Sequence, residues 1–537
     1  MKPVRCNLGG VLVSAEGARA LDAEASSQWG LEPSALVEAA GRACAAVFSK
    51  EFLKGRHCIN SFTVLAGSGN NAADALVMLR ALILGGYTSA PDCRVFASRS
   101  AAGRPAADNK TPLSQALLAI QKLGVQTTEW DSGQAQAALS KTDFIIDGIT
   151  GTGLNSPLRG AALEMAEAVN RYISKVNNAN FKRNRLPKPF TVSIDIPSGS
   201  FDGWQQGMPI ITANATLAVE PQKICLYAPA SRPYAGKILP VKGIFPPALC
   251  GKYREAEFLA WENASAAIPA IPKTAHKYER GLVEIWAGSP GATGAAKLAA
   301  QGAQAAGAGL IRLIVDPSIY PVVASGCSGI MAVPGPANDS RFTPTAVLLG
   351  PGWGKGEDRT RILEKCLNLE EQGVPLVLDA DAIALAKGMV FHGNVILTPH
   401  VGEFAAYCGV KKDEILRCPI QALRDSSAKA NAVILLKSHV MYAASPGGLI
   451  SVIDGMIPAL ATGGTGDVLA GFCASIAARW KAGETKNGVF DAYACARAAG
   501  ALLIQAAASK GVAGKFADPM EIARAASSVA GAAWLEV

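Results

Sequence analysis

The sequence is poor in charge and in aromatic side chains: 18% of its 537 residues are Asp, Glu, Lys or Arg and 6% are Phe, Trp or Tyr, whereas half are apolar. That balance excludes a chain left disordered for want of a core. No apolar run approaches the ~18 residues a membrane-spanning helix needs, and the opening MKPVRCNLGGVLVSAEGARALDAEA lacks the apolar centre of a secretory signal. The twelve cysteines contain no C-x-x-C pair and no even spacing, which excludes the usual zinc and disulfide frameworks and points to reduced, mostly buried thiols. A net charge of +8 over this length is too mild for a nucleic-acid footprint. The densest basic run, FKRNRLPKPF at 181–190, reads as a solvated loop before a strand. A cytoplasmic enzyme acting on small molecules is expected, with neither nucleic acid nor membrane as partner.

Glycine and alternation are what the sequence does have. Its length fits two large α/β units, and the small residues and prolines of NASAAIPAIPKTA place a linker at 263–275. This gives domains at 1–262 and 276–537. In the first, SFTVLAG reads as a strand, SGNNAAD as a loop, and ALVMLRALILGG as a helix closed by Gly85 and Gly86. DFIID and FTVSIDI are further strands that end in an acid. In the second, GLVEIWAG, AVLLGPG, VPLVLDAD, NVILTPH and AVILLKS run straight into Gly, Pro, Asp, His or Lys, with alanine-rich helical stretches such as TGAAKLAAQGAQAAGAG between strands. Such alternation implies parallel sheets whose ligands gather at the carboxyl ends of the strands. AGS follows a strand in both halves, at 66–68 and 287–289, and reads as coincidence, not as a repeat.

The segment ATGGTGDVLAG, 461–471, concentrates four glycines and one acid. If ATGGTG is a loop and the following residues a helix, the amides around Gly464, Thr465 and Gly466 stand unpaired at a helix N-terminus, where anions bind. Asp467 then points into the same space. A carboxylate beside an anion hole suits removal of a proton from a hydroxyl that attacks phosphorus; as a helix-start acid it also complements the dipole. His400 and Glu403 in LTPHVGEF, Lys437 in LLKSHVM and the glycine turn of LGPGWGKG come from other strand ends and converge on one rim. A ribokinase-like kinase of a vitamin or sugar alcohol shares the GTGD element and remains open.

Six motifs in order, HKYERGLVEIWAGSPGATGAAKLAAQGAQAAGAGL, LGPGWG, VLDADAIALA, LTPHVGEF, LLKSHVM and ATGGTGDVLAG, resemble the ribokinase-like NAD(P)H-hydrate dehydratases. The resemblance implies an α/β domain with a mostly parallel sheet that uses ADP or ATP, with Mg2+ on the nucleotide, to dehydrate the S form of hydrated NADH or NADPH. It implies substrate contacts from Ala295, Gly352, His400 and Asp467, and nucleotide contacts from Lys437, Ser438, His439, Val440, Met441 and Gly466. Asp467 is the catalytic candidate.

GSGNNAADALVMLRAL, DFIIDGITGTGLNSPLRG, TVSIDIPSGSFDG and LVEAAGRACAAVF resemble the NAD(P)H-hydrate epimerase domain, which interconverts the R and S hydrates. A Rossmann-like three-layer domain is implied, in a homo-oligomer. Asn70, Asn71, Ala72, Ala73 and Asp74 would line the substrate with Gly151, Thr152, Gly153, Leu154, Asn155, Ser156, Pro157 and Asp195; Asn71, Asp147 and Ser198 would hold potassium. NNAADA replaces three family glycines by Ala72, Ala73 and Ala75. If those positions need positive φ or close phosphate contact, each methyl costs on the order of 1 kcal/mol, and a non-catalytic first domain is then the alternative.

Overall fold

The computed structural model describes residues 10–54, 60–98, 111–179, 189–336, 343–484, 488–509 and 511–536. Most of the basic run at 181–190 lies outside them, as does His57. The chain forms two compact units, 10–256 and 257–537.

In the first unit seven strands form one parallel sheet: β1 (Phe62–Ala66), β2 (Cys93–Ala97), β3 (Gln126–Glu129), β4 (Phe144–Gly148), β5 (Phe190–Ile194), β6 (Ala215–Val219) and β7 (Lys237–Val241). Their spatial order is β3-β2-β1-β4-β5-β6-β7. Strand side chains alternate between faces, so Phe62, Val64 and Ala66 enter one apolar core and Leu65 enters another. Helices α1 (Ala15–Trp29), α2 (Pro33–Phe48) and α3 (Asn70–Leu84) precede and follow β1. α2 and α3 share the first core, while the helix Gly160–Ala179 covers the opposite face. The result is the expected three-layer Rossmann-like arrangement. Its switch point, where neighbouring connections leave in opposite directions, lies between β1 and β4, and ligands collect at such a crevice.

The second unit repeats this order over a longer sheet: β8 (Leu282–Trp286), β9 (Leu310–Val315), β10 (Met331–Pro334), β11 (Ala346–Leu349), β12 (Leu376–Leu378), β13 (Val395–Leu397), β14 (Val433–Leu436), β15 (Val440–Ala444) and β16 (Ile450–Asp454). They run β10-β9-β8-β11-β12-β13-β14-β15-β16. The first seven are parallel, and β15 is antiparallel to both of its neighbours. Helices α4 (Thr293–Ala305), α5 (Val401–Cys408) and α6 (Thr465–Ala482) matter most for the site. α6 is buried from Val468 to Trp480, as a helix apolar on every side must be. It packs on α4 through glycines: a Cβ at Gly471 would collide with the backbone of Ala299 and Ala303, and one at Gly302 with the backbone of Val468.

The segment expected to be a linker, 263–275, is folded into this second unit. Trp261–Ala266 is a short helix, Ala264 and Ile268 join the core, and Ile271 exchanges backbone hydrogen bonds with Trp534 and Glu536. Its apolar residues outweigh the loop signal of its prolines. Among the described residues no helix is long and apolar enough to cross a membrane.

Candidate active sites

In the second unit the loops after β8, β11, β12, β13 and β14 leave the sheet at its carboxyl edge. Three of them are tied together: Ser289 Oγ donates to the Gly352 carbonyl at 2.9 Å, and the Gly354 amide donates to Asp381 Oδ2 at 2.7 Å. The glycines of LGPGWG are forced by crowding. Gly350 has φ 120°, and a Cβ there would collide with the Asp379 carbonyl; at Gly352, φ 55°, it would lie 2.8 Å from the side chains of Ala292 and Ala295. Ala380 is held at φ 45°, an unfavourable conformation for a residue with a side chain and one that clusters at functional loops.

Asp379, just past β12, is 1% exposed. It accepts from Thr398 Oγ1 at 2.8 Å and from Lys437 Nζ at 2.5 Å. Burial pulls the Lys437 ammonium toward deprotonation, but Asp379, with Glu403 and Asp467 farther off, more than offsets this and raises its pKa above the usual lysine value. A Cβ on Gly466 would lie 3.3 Å from Lys437 Nζ, so the ammonium sits over the first turn of α6. That helix starts at Thr465, inside the segment expected to be loop, after Gly464 at φ 98° with no capping side chain. Asp467 is its third residue. Burial raises its carboxyl to about 6, Asp379 adding to the rise and Lys437 opposing it. A cation, uncapped helix amides and a carboxylate that ionises near neutrality meet here, and together they can hold an anion and accept a proton beside it.

The remaining predicted residues separate into groups. Gly352 and Ala295 touch, and Gly466 and Lys437 are neighbours. His400 caps α5: its Nδ1 accepts from the amides of Gly402 and Glu403, while its own amide donates to Glu403 Oε2 at 2.8 Å. Its Nε2 lies 3.4 Å from Glu403 Oε1 and is the one ring nitrogen not engaged by the helix amides. Ser438 and the exposed His439 lie in the turn after Lys437. Val440 and Met441 open β15 with their side chains buried in the core, so only their backbone can reach a nucleotide. Asp379 was not among the residues singled out from the sequence, although VLDADAIALA carries it.

In the first unit a cavity of about 640 Å3 opens at the switch point between β1 and β4. Asn70, Asn71, Asp74, Gly151, Thr152, Gly153, Leu154 and Asp195 line it. Ala72 and Ala73 do not; nor do Asn155, Ser156 and Pro157. The alanines of NNAADA correct the sequence-based expectation: they belong to the first two turns of α3, none has positive φ, and Ala72, Ala73 and Ala75 are 0% exposed, with their methyls in the core. Around Thr150 the three potassium candidates meet. Asn71 Nδ2 donates to the Thr150 carbonyl at 2.9 Å, and Ser198 Oγ donates to Asp147 Oδ1 at 2.5 Å. Asp147 also accepts from Ser193 Oγ and from the amides of Ser198 and Ile149. It is 0% exposed, and its burial raises the carboxyl pKa. Among the described residues it has no ion-pair partner.

The cavity floor holds a pair that no motif announced. Lys223 Nζ donates to Asp195 Oδ1 at 2.7 Å and to the Val219 carbonyl at 3.0 Å, with both side chains largely buried. Asp195 adopts φ 63°, again a strained loop at a strand end. Among the described residues Asp74 Oδ1 is buried without a hydrogen bond, and burial, with Asp195 adding to it, raises that carboxyl well above the carboxylate range.

Comparison with known proteins agrees with this two-site layout. Residues 283–524 match the family described as NAD(P)H-hydrate dehydratase, and residues 33–225 match the YjeF-related protein N-terminus. The bifunctional NAD(P)H-hydrate repair enzyme Nnr of Gloeobacter violaceus is 31% identical over 84% of this chain and 85% of its own; that of Synechocystis is 30% identical over 78% and 76%. Among solved structures, the ADP/ATP-dependent NAD(P)H-hydrate dehydratase of Bacillus subtilis, co-crystallised with ATP and Mg2+, is 24% identical over 51% of this chain and 96% of its own, with a TM-score of 0.44. Identity at this level across more than three quarters of both lengths decides the matter: the chain belongs to the family of bifunctional NAD(P)H-hydrate repair enzymes.

Proposed function

We propose that the second unit restores hydrated NADH or NADPH by phosphorylating the ring hydroxyl of the S hydrate from ADP or ATP and then eliminating phosphate, and that the first unit interconverts the R and S hydrates. The observation that carries the first part is the Asp379–Lys437–Asp467 cluster at the uncapped start of α6. Asp467 takes the hydroxyl proton as the oxygen attacks phosphorus. Lys437 and the amides of Gly466 and Asp467 hold the transferred charge. A hydroxyl is a poor leaving group and a phosphate a good one, so elimination then regenerates the ring double bond. Mg2+ would accompany the nucleotide, offsetting phosphate charge as phosphoryl transfer generally requires; among the described residues no cluster of three or more His, Cys, Asp or Glu side chains marks a separate metal site.

The first-unit assignment rests on the cavity at the switch point and on alanine methyls that face away from it. Asn71, Asp147 and Ser198 would hold potassium; they offer hard oxygen ligands around a buried, uncompensated carboxylate. The ion would offset that charge and the phosphates of the substrate. A homo-oligomer in the cytoplasm goes with this reading.

Incubation of the full chain with mixed R and S hydrates and ADP or ATP should consume both epimers and return NAD(P)H. Consumption of the S form alone would remove the epimerase and leave a dehydratase with a non-catalytic first unit. A stable phosphorylated product without recovered NAD(P)H would overturn the dehydratase in favour of a small-molecule kinase.

A further inference from the structure

Resting on the epimerase reading, we propose that Asp22 is a proton carrier of the first-unit cavity, working with the Asp195–Lys223 pair on the hydroxyl-bearing centre of the hydrate. Asp22 lies in the middle of α1, with Arg19 and Ser26 three before and four after it, and this helix face forms one wall of the cavity. Asp22 is exposed to solvent and lines the cavity. Among the described residues its carboxylate has neither a hydrogen bond nor an ion pair, which leaves both oxygens open to a ligand in the cavity it lines. Arg19, the nearest cation on the same helix, is committed elsewhere: its Nη1 donates to the Thr152 carbonyl at 2.7 Å.

The groups facing Asp22 from other elements are Lys223, Asp195 and, on α3, Asp74. Partial desolvation by the cavity walls raises the Asp22 carboxyl to about 6 even though its side chain meets solvent, with Lys223 lowering it and Asp195 raising it. The second unit contains the same chemical set in the same electrostatic relation: a buried Lys–Asp pair, Lys437 with Asp379, and a separate carboxyl, Asp467, also near 6 and influenced by both. Two different segments thus supply each sheet with a poised acid beside a fixed ion pair.

The chemistry of epimerisation asks for such a group. The hydroxyl sits on the ring carbon next to nitrogen. To invert that carbon, the O–H proton leaves as the carbon–nitrogen bond opens to an aldehyde, and the nitrogen takes up a proton. After the aldehyde turns, nitrogen adds to its other face, loses its proton, and the oxygen regains one. The same bonds are broken and remade, and no oxidant or co-reactant is consumed. Each direction uses one group as acid and one as base, and the hydroxyls of the two hydrates lie on opposite ring faces while the carbon–oxygen bond stays intact. Asp195 with Lys223 at the strand ends and Asp22 on the helix wall provide two such groups from different elements.

The test uses the full chain with purified R hydrate and ATP, so that recovery of NAD(P)H is limited by epimerisation, and S hydrate in parallel as a control for folding and dehydration. Asp22→Asn should lower the epimerisation kcat at least ~100-fold with KM changed less than threefold, remove one limb of the pH profile, and leave S-hydrate turnover unchanged; Asp22→Glu should recover part of the rate. An Asp22→Asn enzyme that epimerises within threefold of wild type, or that changes only in KM, overturns the proposal while the epimerase reading stands. Wild-type protein that fails to convert R hydrate overturns both.

Discussion

The two units share a strand order but build their sites from different places along it. In the first, the cavity occupies the switch point itself, between the loops after β1 and β4. In the second, that point is closed by small side chains, Gly352 against Ala292 and Ala295, and the charged cluster lies farther along, after β12 and β14 and under the start of α6. Both use a buried Lys–Asp pair with a third acid, and both hold a residue with a side chain at positive φ beside it, Asp195 and Ala380. The topology supplies a rim; the loops decide where on it chemistry happens. Even the repeated AGS fits this view. Gly67 donates to the Gly148 carbonyl and Gly288 to that of Pro351, each bridging its own switch point, a shared answer to one topological problem.

The sharpest way to break the parallel is Asp467→Asn. Dehydration should fall ~10²–10⁴-fold, the usual worth of a general base, while calorimetry finds nucleotide affinity within a few-fold and R-to-S conversion persists. Next come the two ion pairs. Lys437→Met and Lys223→Met each strand a buried carboxylate, and each should cost roughly 3–5 kcal/mol in denaturant unfolding of its own unit; a loss under 1 kcal/mol in either would show that its pair is not equivalent to the other. A smaller effect concerns pH. Asp467 must be ionised to accept a proton, and its carboxyl is raised to about 6, so dehydration kcat should rise with pH through that value and level off above it; a profile flat between pH 5 and 7 would place the base elsewhere. The smallest is Ala72→Gly, which should lower stability by about 0.5–1 kcal/mol as a glycine placed in a helix and leave epimerisation unchanged. A faster epimerase would mean that the methyl had obstructed the substrate after all.

Much of this was legible in the sequence. Apolar runs ending in Gly, Asp, His or Lys marked both sheets and their carboxyl edges, and Asp467 stood out because its glycines are local. Lys223 and Asp22 left no such mark. They are 201 residues apart; Lys223 follows a strand without a glycine turn, and Asp22 sits in α1 with no motif around it. Their roles come from a cavity that exists only once the sheet has formed. Val440 and Met441 show the converse: a motif gives their position but not their surroundings, and β15 is covered on both faces, so both side chains are buried although they point to opposite sides of the sheet. NNAADA misled because an alanine in a family's glycine position suggests a steric penalty only until the backbone is known to be helical there.

The glycine seam between α4 and α6 leaves this half exposed to an unusual kind of damage. Gly471 lies one turn along from Asp467, and its contact with Ala299 and Ala303 has no side chain that truncation could remove. Only enlargement can harm it. A single methyl would pry the two helices apart and, through Leu298 against Gly464, shift the first turn of α6 that carries Asp467. Lesions at 302 and 471 would therefore cost stability through overpacking of a buried seam, and a search for lost side-chain contacts alone would overlook them.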